Sequence, residues 1–194
     1  MKYISISGAV AAGKTTLLEQ LLERLGERAK AHEERPQNNP FIQEYYSDSK
    51  RWSFHSQITF LALYFDQAEW KNATTDFFFF DRCLIENLVI ARFRRNEGDL
   101  TEAEYGIIEK MAHGISNLMP EIDKYIYLKC SVDLLVERLQ QRGREYEGKL
   151  GREYAEKLKV LYDEWLETLP PERVLIVDED KGVDLNEVIA FIEK

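Results

Sequence analysis

The chain predicts an α/β fold: one domain over residues 1–194, with a five-stranded parallel sheet covered by helices on both faces. Three observations predict it. Strand-like runs alternate with helix-period stretches from end to end. The run 77–80 (FFFF) is wholly apolar, as in a central parallel strand covered on both sides. A glycine-bounded loop joins the first strand directly to the first helix.

Taken in order, residues 2–7 (KYISIS) are β-branched and aromatic and stop at Gly8, so they form a strand. Leu17, Leu18, Leu21, Leu22 and Leu25 share one face of a helix that Gly26 ends. Residues 29–33 are a short strand candidate, and Pro36 and Pro40 mark a loop. Residues 52–70 read as a long helix. It is apolar enough at Phe54, Ile58, Phe60, Leu61, Leu63, Tyr64 and Phe65 to be buried on most sides. After strand 77–80 comes helix 84–93, broken at Gly98-Asp99. Ile108, Met111, Ala112, Ile115 and Leu118 form the next helical stripe, stopped by Pro120. Residues 125–128 are a strand and 132–139 a helix. Tyr154, Leu158, Leu161, Tyr162 and Trp165 define a helix ending at Pro170. Residues 174–177 are the last strand, and Leu185, Val188, Ile189 and Ile192 close the chain as a helix.

Composition removes several classes of function. With 44% apolar and 12% aromatic residues the chain is no disordered segment. Thirty-five acids against 26 bases, net charge −9, argue against a nucleic-acid polymer as partner, because a phosphate backbone demands a basic footprint. Cys83 and Cys130 alone make neither a disulfide framework nor a four-cysteine zinc site, and both sit in apolar segments, as buried thiols of a reducing compartment would. No apolar run reaches the roughly 18 residues of a membrane span, and the apolar start lacks a basic lead, so a soluble cytoplasmic protein is expected.

Gly8-Ala9-Val10-Ala11-Ala12-Gly13-Lys14-Thr15 fits G-x-x-x-x-G-K-[ST] between a predicted strand and a predicted helix. Glycines let backbone N–H groups turn inward around a polyphosphate, and the helix N-terminus adds positive partial charge. Lys14 can bridge the outer phosphates and Thr15 can offer an oxygen to Mg²⁺. The motif points to a P-loop NTPase-type fold and a nucleoside triphosphate, without separating kinase, motor and switch.

Three further clusters favour a kinase. Glu33-Glu34-Arg35-Pro36 follows the second strand, where a carboxylate can take the proton of an attacking alcohol. Asp81-Arg82 follows strand 77–80 at its carboxyl end, where ligands of open α/β sheets gather. There an Asp can hold Mg²⁺ and an Arg can steady a phosphoryl group. Arg138-x-x-x-Arg142-Gly143-Arg144-x-x-Glu147 packs three arginines into seven residues of an acidic protein, as a lid over phosphates would.

On GAVAAGKTT (8–16), E-x-x-x-x-N-P-F (34–41), YYSDSKRWSF-x-x-Q (45–57), DR (81–82) and R-x-x-x-RGR-x-x-E (138–147), with Tyr154 and Trp165 beyond, the sequence resembles the deoxyribonucleoside kinase family. The likeness is greatest to the compact bacterial deoxyadenosine/deoxyguanosine kinases. It implies transfer of the γ-phosphoryl of Mg·ATP to the 5′-OH of a deoxyribonucleoside. By the resemblance Glu34, rather than Glu33, is the general base and Arg82 organises it, with Lys14, Arg142 and Arg144 completing the catalytic set. Gly8, Ala9, Ala11, Ala12, Gly13, Lys14, Thr15 and Thr16 cradle ATP, joined by Arg138 and Arg142 of a lid spanning about 138–151. Asp178 and Asp180 belong to the loop at its adenine. Thr15 and Asp81 serve Mg²⁺. Tyr46 and Glu147 hold the sugar 3′-OH, and Gln57 binds the base. A homodimer through the 84–94 and 102–118 helices is also implied.

The chain departs from the family's pattern around the base. Tyr64 stands where many relatives carry Arg, Asn87 where purine- and cytosine-preferring relatives carry Asp, and Cys83 where Ser is usual. A paired swap leaves neither charge buried alone. Both residues remain base-site candidates, and the reading leans to purines. A pyrimidine-preferring kinase and a thymidylate-type monophosphate kinase are the alternatives. The latter shares the loop, the DR pair and the arginines, but Glu34 would repel an anionic acceptor. A nucleotide-binding subunit without turnover would not need Lys14, Glu34 and Arg82 together, and a regulatory switch would leave 34–57 unexplained.

Overall fold

The computed structural model describes residues 1–66, 68–143 and 150–194, with backbone alone at 65, 66, 68 and 69. Among the described residues, β1 (Lys2–Ser7), β2 (Ala29–His32), β3 (Phe77–Asp81), β4 (Lys124–Lys129) and β5 (Val174–Asp178) form one parallel sheet in the order β2-β3-β1-β4-β5. The helices are α1 (Lys14–Leu25), α2 (Ile42–Ser47), α3 (Ser49–Asp66), α4 (Asn87–Asn96), α5 (Glu102–Ser116), α6 (Val132–Arg142), α7 (Arg152–Leu166) and α8 (Leu185–Glu193). The chain leaves β1 toward one edge of the sheet and β3 toward the other. These two neighbours, paired from Lys2↔Phe77 to Ile6↔Asp81, therefore open a crevice at their carboxyl ends.

β3 is buried along its whole length, as a strand covered on both faces must be. Ile4, Ile6, Phe79, Ile126 and Leu128 of the sheet pack with Leu17, Leu18 and Leu21 of α1 and Leu158 and Tyr162 of α7. A smaller cluster joins Leu61 and Tyr64 of α3, Leu84 and Ala91 near α4, and Ile108 and Ala112 of α5. No helix among the described residues is long and apolar enough to cross a membrane.

Three elements differ from expectation. α2 has only six residues and no side-chain cap, too little for a periodic signal. The loop before it is held by buried Asn39, whose Nδ2 donates to Ser56 O at 3.1 Å and Ser56 Oγ at 3.0 Å, while Phe41 stacks on Trp52. α3 starts at Ser49 rather than 52, and its buried face carries Ser53, Ser56 and Gln57 beside Leu61. α4 starts at Asn87 rather than 84, because Leu84–Glu86 form a 3-10 turn.

Cys83 and Cys130 are free and buried, and burial pushes both thiols up to about 12. The thiolate fraction at pH 8 is then on the order of 10⁻⁴. Neither should be alkylated by iodoacetamide in the folded protein at pH 8, and both should react once it is unfolded. Rapid labelling of the native chain, read by mass spectrometry, would contradict this placement.

Candidate active site

The loop between β1 and α1 is shaped by backbone that few residues tolerate. Gly8 has φ +145°, and a Cβ there would stand 2.8 Å from Leu128 O. Ala11 sits at φ +65°, a conformation that costs about 1–3 kcal/mol in a non-glycine residue and gathers at functional sites. Lys14, at the first turn of α1, is buried and donates Nζ to the carbonyls of Gly8 and Ala9, both at 2.8 Å. Burial, with Arg82 adding repulsion, lowers its pKa to about 8. Thr15 Oγ1 donates to Asp81 Oδ2 at 2.8 Å. Asp81 Oδ1 is buried without a hydrogen-bond partner, and burial pushes the Asp81 carboxyl up.

Arg82 leaves β3 in the left-handed region, φ +74°. Its peptide N–H donates to Ile6 O at 3.0 Å, continuing the ladder and turning the side chain into the crevice. The guanidinium is almost fully buried. Nε lies 3.3 Å from Glu34 Oε2, an ion pair at an angle that makes no hydrogen bond. Burial works against that charge, but the surrounding groups, Glu34 foremost, hold its pKa well above the ordinary arginine value.

These groups line one cavity of about 660 Å³, within the range of small-ligand sites. Its lining includes the phosphate loop, 10–16, Arg138 and Arg142 of α6, Asp81, the Glu34–Arg82 pair, and the uncharged side chains Ile42, Tyr45, Tyr46, Gln57, Phe60, Asn87 and Ile90. Gln57 is buried and its Oε1 has no hydrogen-bond partner, whereas Asn87 Nδ2 donates to Leu84 O at 3.2 Å. The structure thus brings Ala11, Ala12, Gly13, Lys14, Thr15, Thr16, Glu34, Tyr46, Gln57, Asp81, Arg82, Asn87, Arg138 and Arg142 to one wall. Gly8 and Ala9 lie beneath, as acceptors for Lys14.

Other expected site residues lie elsewhere. Tyr64 does not line the cavity. It is buried behind Arg82, donates Oη to the Arg82 carbonyl at 2.6 Å and stacks on His32. Asp178 pairs with Lys181 in its own loop, and Asp180 accepts from Ser131 N at 2.7 Å at the start of α6; neither lines the cavity. The residue between them, Glu179, accepts from Arg138 Nη2 of α6 at 2.7 Å, while Arg138 Nη1 donates to Ala12 O at 2.8 Å. Arg144 and Glu147 fall outside the described residues. Sequence reasoning missed Glu86, fully buried beneath the loop, where its Oε1 accepts from Gly8 N at 3.2 Å. Nothing in the pattern marks it, since a glutamate in a short turn ordinarily faces water.

A family model described as deoxynucleoside kinase matches residues 4–191. The chain belongs to the deoxynucleoside kinase family. As a family member it is an ATP-dependent phosphotransferase of nucleotide salvage, with ATP as phosphate donor. This kinase is 30% identical over 199 residues to a deoxyadenosine/deoxycytidine kinase of Bacillus subtilis (strain 168), covering 98% of its own chain and 90% of the relative. A deoxyguanosine kinase of the same organism is 30% identical over 155 residues, covering 76% and 70%. The structure of deoxyadenosine kinase from M. mycoides with bound dATP superposes with a TM-score of 0.82 at 26% identity, over 98% of this kinase and 97% of that chain. The expected P-loop NTPase-type α/β fold is therefore the family's own.

Proposed function

We propose that this kinase phosphorylates the 5′-OH of a deoxyribonucleoside, with Glu34 as general base and purine deoxynucleosides as preferred acceptors. The observation that carries the reading is one cavity lined together by the phosphate loop, the Glu34–Arg82 pair and the uncharged Gln57 and Asn87. A neutral alcohol needs a base, and Glu34 lines the cavity with its carboxylate 3.3 Å from Arg82. Glu34 takes the 5′-hydroxyl proton as the new P–O bond forms and the bond to the ADP leaving group breaks. Lys14, Arg138 and Arg142 gather the donor's charge, and Arg82 faces the transferring group. Tyr46, which lines the cavity, holds the sugar in this reading, with Glu147 as its expected companion. The buried, unpaired Gln57 Oε1 costs free energy until a ligand donates to it, as an exocyclic amino group would.

Asp81 Oδ1, unpaired beside Thr15 Oγ1, fits Mg²⁺ as an oxygen site. The ion would neutralise charge on the donor's phosphates when bound. The exposed apolar side chains Ile107 and Met111 on α5, with Leu118 just beyond, favour a homodimer through α4 and α5. Sedimentation at micromolar concentration tests that. A cytoplasmic location remains our reading.

Phosphorylation rates with ATP and, separately, deoxyadenosine, deoxyguanosine, deoxycytidine, thymidine, dAMP and dTMP test the proposal. The largest kcat/KM is expected with a purine deoxynucleoside. A pyrimidine maximum would overturn the base preference. Preference for a monophosphate would overturn the alcohol acceptor, a reading that would need Arg35, which instead pairs with Glu33 at 3.1 Å near the rim.

A further inference from the structure

Glu86 closes the 3-10 turn Leu84–Glu86 between β3 and α4, and its side chain is 0% exposed. Oε1 accepts from Gly8 N at 3.2 Å and lies 3.9 Å from Arg82 Nε. Oε2 is buried without a hydrogen-bond partner. Beside it stands the Tyr162 hydroxyl of α7, whose oxygen likewise makes no well-formed hydrogen bond. A carboxylate here is costly, and an apolar side chain of similar size would serve packing as well or better. Burial pushes the Glu86 carboxyl up, and Arg82 and Lys14 pull it back. What distinguishes Glu86 is its place, where the first peptide of the phosphate loop, the end of β3 and α7 meet.

Arg82 needs such a neighbour. Its backbone is in the left-handed region and its buried Nε makes no hydrogen bond, so what sets its orientation is the two carboxylates facing Nε, Glu34 at 3.3 Å and Glu86 at 3.9 Å. Of the two, Glu86 is also tied to Gly8.

We propose that Glu86 is a positioning residue for phosphoryl transfer, holding the Arg82 guanidinium and the Gly8 peptide in fixed relation so that the arginine and the phosphate loop act as one body. The proposal rests on the role assigned to Arg82 and Glu34 above. A misplacement of about 1 Å at a reacting centre can cost about 100-fold in rate, which sets the size of the expected effect.

Glu86→Gln keeps the volume and an oxygen for Gly8 N–H and removes the charge. Its KM for ATP and for deoxynucleoside should stay within about threefold of the parent, its Tm should hold, and kcat should fall about 10- to 100-fold. If Glu86 acts through Arg82, the double variant Arg82→Gln/Glu86→Gln loses no more than Arg82→Gln alone. A kcat within about twofold of the parent, or losses that multiply in the double variant, would overturn the proposal. A purely structural role would lower Tm and leave the kcat of folded enzyme intact. Should the glutamine variant not fold, Glu86→Asp withdraws the charge by one methylene; it should lose kcat with KM kept, and full kcat would overturn the proposal. Glu34→Gln in the same assay separates the two levels. If that variant keeps its turnover, the underlying mechanism fails; if it is inactive while Glu86→Gln is fully active, only this inference fails.

Discussion

Glu34→Gln is expected to fold, to bind ATP and deoxynucleoside much as the parent does, and to lose about 10²–10⁴-fold in kcat, the usual contribution of a positioned base. Binding should survive because glutamine keeps the shape and one oxygen toward Arg82, whose other carboxylate neighbour, Glu86, remains at 3.9 Å. The loss should fall on kcat because proton transfer from the hydroxyl belongs to the transition state. Steady-state kinetics with each substrate varied in turn checks this. Near-normal turnover would refute the assignment of the base.

Lys14→Ala is the second large effect. The ammonium donates to two loop carbonyls at 2.8 Å and lines the cavity, where under the proposed function it meets the outer phosphates of ATP. Its removal should lower kcat/KM for ATP by about 10²–10³-fold or more and leave deoxynucleoside binding, measured by calorimetry, unchanged. Stability should respond in the opposite sense. Burial lowers the Lys14 pKa from 10.5 to about 8, so the folded protein disfavours the charged form. That penalty is fully present below about pH 8 and fades as pH rises toward 10.5, because the unfolded chain there binds the extra proton. The parent should therefore gain stability relative to Lys14→Ala between pH 8 and 10. Denaturant unfolding of the two proteins at both pH values measures this, and a flat or falling difference would contradict the burial of the ammonium.

Much of this site was legible before any coordinates because its chemistry constrains sequence locally. The phosphate loop needs glycine at positions 8 and 13 and Lys14-Thr15 next to them, and a strand and helix must flank it. Asp81 and Arg82 and the Glu33-Glu34 pair could be placed because they lie at the carboxyl ends of strands, which parallel strands bring together, while the family resemblance alone singles out Glu34. What escaped depends on contacts distant in sequence. Glu86 meets Gly8, 78 positions away. Tyr64 is a base-site candidate only because it stands where many relatives carry Arg, yet its hydroxyl turns to the Arg82 carbonyl, a contact that periodicity cannot show. In Asp178-Glu179-Asp180 three acids look alike, and only the packing of α6 against the β5 loop selects Glu179 for Arg138.

A crystal structure of the kinase with a deoxynucleoside bound tests the central claim most directly. The account predicts a Glu34 carboxylate oxygen about 2.6–3.2 Å from O5′, with Arg82 still beside that carboxylate and the base toward Gln57. A Glu34 side chain beyond hydrogen-bonding reach of O5′, with no water joining them, would contradict it.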